Sequence, residues 1–132
     1  MKPDFSNIEQ VLRRDVPARP TLFEFFLNGP LYDKLGADKE RDPALKRIPA
    51  FYNAGYDYVT LDVPGFSFPA GEAERGETVS INEGAVITDR ASFEAYAWPD
   101  PDDADYDFLD KAARHLPRGM KFIIPGPGGV LE

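Results

Sequence analysis

The chain has 132 residues, 42% hydrophobic and 13% aromatic, which suits one folded domain and excludes disorder of the whole chain. A net charge of −8 disfavours nucleic acid and anionic membranes as partners, and the absence of cysteine excludes disulfides and thiolate metal ligands from this sequence. Because no apolar leader or membrane-length apolar stretch is visible, we expect a cytoplasmic protein.

The N-terminal residues predict a short helix followed by a buried strand. Ser6-Asn7-Ile8-Glu9 has the form of a capping box, which places the start of the helix near Asn7. The apolar run Thr21–Leu27 is too short for an independent helix and is closed by Asn28-Gly29-Pro30. It therefore predicts a first strand buried on both faces, with Glu24 isolated inside it.

A second helix and a second strand are predicted next. Asp42-Pro43 is typical of a helix start, and we expect this helix to end near Gly55, with Pro49 kinking or dividing it. Tyr56–Val63 has the β-branched and aromatic content of a strand. A Pro-Gly pair follows it, so this strand is expected to end at Asp62.

The following segment combines extended and helical patterns. Thr78–Asn82 and Ala85–Thr88 predict a small β-hairpin, and Ser92–Ala97 predicts a helical turn. After an acidic loop, a longer helix is expected over Asp103–His115. Its predicted core face consists of four apolar residues at helical spacing: Tyr106, Leu109, Ala113 and Leu116.

The last predicted strand, Lys121–Ile124, runs into the glycine-rich loop Pro125–Gly129. The order of elements predicts an α/β fold with about three parallel strands, crossover helices and the hairpin as an excursion. Three strands leave open edges, whereas a closed (β/α)₈ barrel has eight strands in about 250 residues. We therefore expect residues 1–132 to be a single, incomplete N-terminal segment of such a barrel.

Several stretches resemble the N-terminal portion of uroporphyrinogen decarboxylase-like proteins. They are Asn7–Arg14, Pro17-Ala18-Arg19-Pro20 before the first strand, and Gly55–Val59 before the second. Trp98-Pro99-Asp100-Pro101 and Phe122–Glu132 are similar to a bacterial and archaeal subgroup of that superfamily. The resemblance implies a (β/α)₈ barrel with one of two activities. One is cofactor-free decarboxylation of uroporphyrinogen in haem synthesis, and the other is zinc-assisted transfer of methyl groups from small compounds to corrinoid proteins or thiols.

One family feature bears on the choice between these activities. Relatives that decarboxylate uroporphyrinogen have an Arg-Gln-Ala-Gly-Arg stretch after the first strand, whose guanidinium groups bind carboxylates. This chain has Phe25–Gly29 there and no further arginine before Arg41. The resemblance thus favours methyl transfer over porphyrinogen decarboxylation. A non-catalytic half-barrel that binds another chain through its open sheet edges is the remaining alternative.

The chemistry of a (β/α)₈ barrel takes place at the carboxyl ends of its strands. Asp62 is the candidate catalytic residue, since the decarboxylases it resembles have an aspartate there that faces the pyrrole nitrogens. Its alternative role is to cap the following turn. Glu24 and Asn28 are candidate substrate-binding residues, with a structural ion pair and turn chemistry as their alternatives. Gly126 and Gly128 are expected to let a ligand approach the loop backbone closely.

No metal site is predicted within this chain. His115, the single histidine, lies at a predicted helix end, and no thiolate exists to complete a zinc site with it. We therefore expect no cofactor in this chain, whereas the resemblance implies zinc and a corrinoid for a full-length methyltransferase-like relative. The expected partners are a small-molecule substrate and either a corrinoid protein or a second copy of the chain.

Overall fold

The computed structural model describes residues 1–36, 42–69 and 86–126. Two compact units are present, Met1–Val63 with Tyr106–Pro125 and Pro64–Asp105 with Gly126–Glu132. The first unit contains helices α1 (Ser6–Leu12), α2 (Gly29–Leu35), α3 (Pro43–Ala54) and α5 (Asp107–His115), and strands β1 (Tyr58–Thr60) and β2 (Lys121–Ile123). The second unit contains helix α4 (Arg90–Ala95) and a 3₁₀ turn, Pro101–Asp103.

Strands β1 and β2 form a two-stranded parallel sheet. Val59 pairs with Phe122, and the pairing continues beyond the strands because the Leu61 N–H donates to the Ile123 carbonyl at 3.1 Å. Both strands fall inside segments predicted as strands, although each is shorter than predicted. The prediction of mixed helices and parallel strands is therefore confirmed.

The core of the first unit forms where α3 and α5 pack together and α3 covers β1. All three residues of β1 are buried. The other buried apolar side chains of this cluster come from α1, α3 and α5 and from residues next to the two strands: Ile8, Leu45, Ile48, Phe51, Leu61, Phe108, Ala112 and Met120. A strand covered in this way is the central element of the unit.

Helix α3 starts and ends as its sequence predicts. The Asp42 carboxylate accepts the Ala44 N–H at 3.0 Å, and Gly55 ends the helix with a φ of +92°. Pro49 lies inside one continuous helix, so the expected division of the helix is wrong, whereas the alternative expectation of a kink stays a prediction. The apolar face of α3 packs against β1 on both sides of Pro49, which offsets the hydrogen bond that proline cannot donate.

Helix α1 is not started by the predicted capping box. Its N-cap is Phe5, which has no side-chain hydrogen bond to the helix. Instead the Asp4 carboxylate accepts the Ser6 N–H at 3.1 Å and the Ser6 hydroxyl at 2.7 Å, and these bonds lower the pKa of Asp4. Glu9 pairs with Arg13 at 3.9 Å. Because the Asp4 carboxylate accepts both Ser6 donors, Ser6 does not cap the helix, and Glu9 does not form a capping box with it.

The predicted first strand, Thr21–Leu27, is not a strand in the structure. Side chains of β1 hold its backbone instead: the Tyr58 hydroxyl donates to the Glu24 carbonyl at 2.7 Å, and the Thr60 hydroxyl donates to the Phe25 carbonyl. Four of its large apolar side chains are exposed: Leu22, Phe23, Phe25 and Phe26. A strand buried on both faces needs cover on both sides, and the described residues cover only one.

Helix α5 begins at Asp107 rather than Asp103, because Pro101–Asp103 forms a separate turn. Its predicted core face is also partly wrong. Phe108 and Ala112 are buried, Leu109 and Leu116 are partly buried, and Tyr106 and Ala113 are exposed. The apolar stripe is thus shifted by about one residue from the predicted one, so Phe108 and Ala112 face the core.

Helix α4 confirms the predicted helical turn near Ser92. Asp89 accepts the Ser92 N–H at 2.8 Å, and the Ser92 hydroxyl accepts the Asp89 N–H at 3.0 Å, which is a reciprocal capping box. The predicted hairpin lies mostly outside the described residues, and its described residues, Val86–Thr88, are not a strand.

Two glycines with positive φ provide a matched stability test. Gly55 and Gly119 have φ of +92° and +89°, but a Cβ at Gly119 would collide with the Pro3 carbonyl oxygen, whereas one at Gly55 meets no atom of the described residues within 4 Å. We expect Gly55→Ala to lower the free energy of unfolding by about 1 kcal/mol. Gly119→Ala should lower it by at least about 2 kcal/mol more, since backbone must move. Urea unfolding of both variants checks this, and equal losses would contradict the close approach at Gly119.

Candidate functional site

Asp62 lies just beyond β1, at the carboxyl end of the sheet. Its Oδ2 accepts a hydrogen bond from Arg47 at 2.8 Å, and its side chain is 66% exposed. The Arg47 guanidinium also lies 5.9 Å from the centre of the Tyr32 ring. Asp62 is therefore an accessible carboxylate that pairs with a cation from α3.

Glu24 lies on the segment that β1 holds by side-chain hydrogen bonds. Its Oε1 accepts the Phe25 N–H at 3.0 Å, and no lysine or arginine of the described residues forms an ion pair with it. Burial raises the pKa of Tyr58 and of Tyr56, and the negative charge of Glu24 adds to both shifts. Glu24 therefore lies close to two phenols instead of the cation that the structural alternative predicts.

Tyr58 and Tyr56 differ in what their hydroxyls can do. The Tyr58 hydroxyl is fully occupied, because it donates to the Glu24 carbonyl and accepts the Glu24 N–H. Its side chain is completely buried. Tyr56 is partly exposed, and its ring lies 5.8 Å from the Tyr58 ring in an edge-on arrangement. Of the two phenols, Tyr56 is the one open to a ligand.

Asn28 acts as the N-cap of α2. Its Oδ1 accepts the Leu31 N–H at 3.0 Å, which is the local structural role that its position before Gly29-Pro30 also suggests. Gly126 follows β2 by a few residues, and a Cβ at Gly126 would meet no atom of the described residues within 4 Å. Gly128 lies outside the described residues.

An exposed apolar surface flanks β1, which we call the aromatic strip: Leu22, Phe23, Phe25 and Phe26. The Phe23 ring contacts the Phe25 ring at 5.4 Å and the Tyr58 ring at 5.5 Å between centroids. The strip runs in the direction of β1, because Glu24 contacts Tyr58 and Phe25 contacts Thr60. It can provide an apolar wall for a ligand.

Sequence reasoning identified Asp62 and Glu24 but missed three features of this region: Arg47, Tyr56 and the exposure of the strip. Arg47 lies between the core residues Leu45 and Ile48 on α3, so its position on the helix edge is readable from the pattern. Nothing in the sequence shows that it reaches Asp62, because that contact joins two separate elements.

The described residues contain no group of three or more histidine, aspartate or glutamate side chains arranged to hold a metal ion. The chemistry of this region consists of a carboxylate–guanidinium pair, a second carboxylate beside two phenols, and an apolar wall.

The Tyr58 hydroxyl holds the segment that carries Glu24 through two hydrogen bonds, and a substitution can test them. We expect Tyr58→Phe to lower the free energy of unfolding by about 1–3 kcal/mol, because the variant leaves the Glu24 amide and carbonyl without this partner. Tyr106→Phe, at a ring that is 54% exposed, is the control and should change little. Urea unfolding measures both, and a neutral Tyr58→Phe would contradict the assigned bonds.

The raised pKa of Tyr58 also predicts how stability depends on pH. Folding favours the neutral phenol, so its contribution is complete below the ordinary value near 10.0 and is lost as pH rises through the raised pKa. We expect the stability of the wild-type protein to fall more steeply above pH 10 than that of Tyr58→Phe. Urea unfolding over an alkaline pH series measures this, and parallel declines would contradict the burial of the phenol.

Comparisons with known proteins do not extend these observations. The sequence matches no protein-family model, and no curated protein or solved structure shows significant similarity to it. In the ranges that the structure describes, no helix has the length and apolar character needed to cross a membrane. The resemblance to uroporphyrinogen decarboxylase-like proteins therefore stays a prediction based on the residues quoted for it.

Proposed function

We propose that this chain is part of a (β/α)₈ barrel of the uroporphyrinogen decarboxylase-like kind, and that the carboxyl end of its sheet binds a small methylated substrate for transfer of the methyl group to a corrinoid protein or a thiol. The observation that carries the proposal is Asp62, an accessible carboxylate that follows a buried parallel strand. In barrels of parallel strands this position holds the reacting groups.

The surroundings of Asp62 favour a small, weakly charged compound over a porphyrinogen. Arg47 is already paired with Asp62, and the strip beside β1 is apolar and aromatic. A substrate with eight carboxylates needs several unpaired cations, whereas a methyl-bearing compound with one polar group fits an apolar wall beside an ion pair. Decarboxylation would also require Asp62 to exchange Arg47 for pyrrole N–H groups.

Within this proposal, Asp62 and Arg47 bind and orient the polar part of the substrate. The aromatic strip contacts the apolar part and excludes water from it. In methyltransferase-like relatives, zinc and a corrinoid supply the activation and acceptance of the methyl group.

A second candidate function is that of an interaction module, which the aromatic strip favours. Its four side chains are between 48% and 68% exposed and are consecutive but for Glu24. Such a run on a soluble surface is typical of a protein interface. In this role the strip would bind a second copy of the chain, and Asp62 would have no substrate.

Ligand binding to paired variants distinguishes these functions. We expect chemical shifts of residues near Asp62 to change on titration with small methylated amines, thiols or methoxy-aromatic compounds, and Asp62→Asn to weaken the binding by about tenfold. Asp33→Asn is the matched control, because Asp33 forms a comparable exposed ion pair with Lys46 at 2.7 Å and should leave binding unchanged.

Three results would contradict the proposal. Binding of uroporphyrinogen in place of methylated compounds would support the decarboxylase alternative. Absence of small-molecule binding, together with a dimer by sedimentation that Phe23→Ser dissociates, would support the interaction module. Equal weakening by Asp62→Asn and Asp33→Asn would show that the ligand responds to charge alone.

A further inference from the structure

A pocket of about 810 Å³ lies at the amino ends of the two strands, the end of the sheet opposite to Asp62. Its wall includes Gly119, which precedes β2, and residues from the N-terminal segment and α3. Three cations line it, Lys2, Arg19 and Arg118, with Asp4 as the carboxylate among the lining residues. This local excess of positive charge contrasts with the net charge of −8 for the chain.

Backbone and side-chain contacts bring these cations together. The Phe5 N–H donates to the Gly119 carbonyl at 3.0 Å, which joins the segment that carries Lys2 to the turn that carries Arg118. The buried carboxylate of Asp57 pairs with Arg19 and accepts the Asp4 N–H at 2.7 Å. These contacts fix the backbone segments that carry Lys2 and Arg118, and the side chain of Arg19, at the same end of the sheet.

The carboxylates of this region are already bound within the protein. Ser6 donates two hydrogen bonds to Asp4, and Arg19 and the Asp4 amide satisfy Asp57. Lys2 and Arg118 form no ion pair with any described residue. The carboxylates near the pocket therefore already have partners, whereas two of its cations do not. The pocket should attract an anion rather than a cation.

We propose that this pocket binds a compact dianionic oxyanion of the phosphate monoester class. Lys2 and Arg118 supply the charge, and Arg19 adds those guanidinium N–H groups that do not donate to Asp57 or to the Pro20 carbonyl. Tyr52, on α3, lines the pocket and is 39% exposed, so it is available to contact the organic part of such an ester.

Phosphate binding in this pocket does not depend on the proposed function at Asp62. The two places lie at opposite ends of the sheet and share no residue. Failure of phosphate binding would leave the proposal for methylated substrates intact, and the reverse also holds.

Titration of the full chain with inorganic phosphate at constant ionic strength tests the proposal. We expect millimolar phosphate to shift the amide resonances of Arg118 and Gly119, and each of Lys2→Gln and Arg118→Gln to weaken binding by about fivefold, as loss of one partly screened charge contact predicts. Both side chains are exposed, so the variants should fold.

Two control variants each remove one positive charge outside the pocket. Lys34→Gln and Arg13→Gln alter exposed cations that do not line the pocket, and binding should stay within twofold of the wild type. Equal weakening by the controls, or no shift at Arg118 and Gly119 in phosphate, would overturn the assignment. A chloride titration that produced the same shifts would overturn it as well.

Discussion

The buried carboxylate of Asp57 is the interaction on which the rest of this structure depends. Asp57 is 2% exposed and directly precedes β1. Its side chain accepts the Asp4 amide and pairs with Arg19, and its carbonyl accepts the Lys121 N–H at 3.3 Å. Burying an unpaired carboxylate costs several kcal/mol, so these partners must be in place when the core forms. One residue thereby positions the N-terminal segment, the Arg19 segment and β2 at the same end of the sheet.

Asp57 and Asp62 flank β1 and have opposite environments. Asp57 is enclosed by its partners and serves the fold, whereas Asp62 is exposed and pairs with one side chain of α3. A carboxylate that an ion pair holds in position but that remains exposed suits ligand binding better than a buried one. At the amino end Lys2 and Arg118 have no ion pair with a described residue, whereas Asp4 and Asp57 already have partners.

Local signals in the sequence were enough to predict some of these elements. The start and end of α3 depend on Asp42 and Gly55, whose roles are set by neighbouring residues. Strand β2 is likewise a short apolar run followed by the glycine-rich loop that begins at Pro125. The Thr21–Leu27 prediction failed because a strand needs a backbone partner and cover on both faces, which composition does not reveal. Asp62 could be predicted from its place after a strand, but its partner Arg47 and the Asp57–Arg19 pair depend on contacts between distant segments.

A double-mutant cycle on Asp57→Asn and Arg19→Gln tests the central claim most directly. If Asp57 organises the amino end of the sheet through Arg19, the two substitutions should share most of their effect, with a coupling free energy of unfolding of at least about 2 kcal/mol by urea denaturation. A coupling below about 0.5 kcal/mol, the value typical of an exposed pair, would contradict the claim.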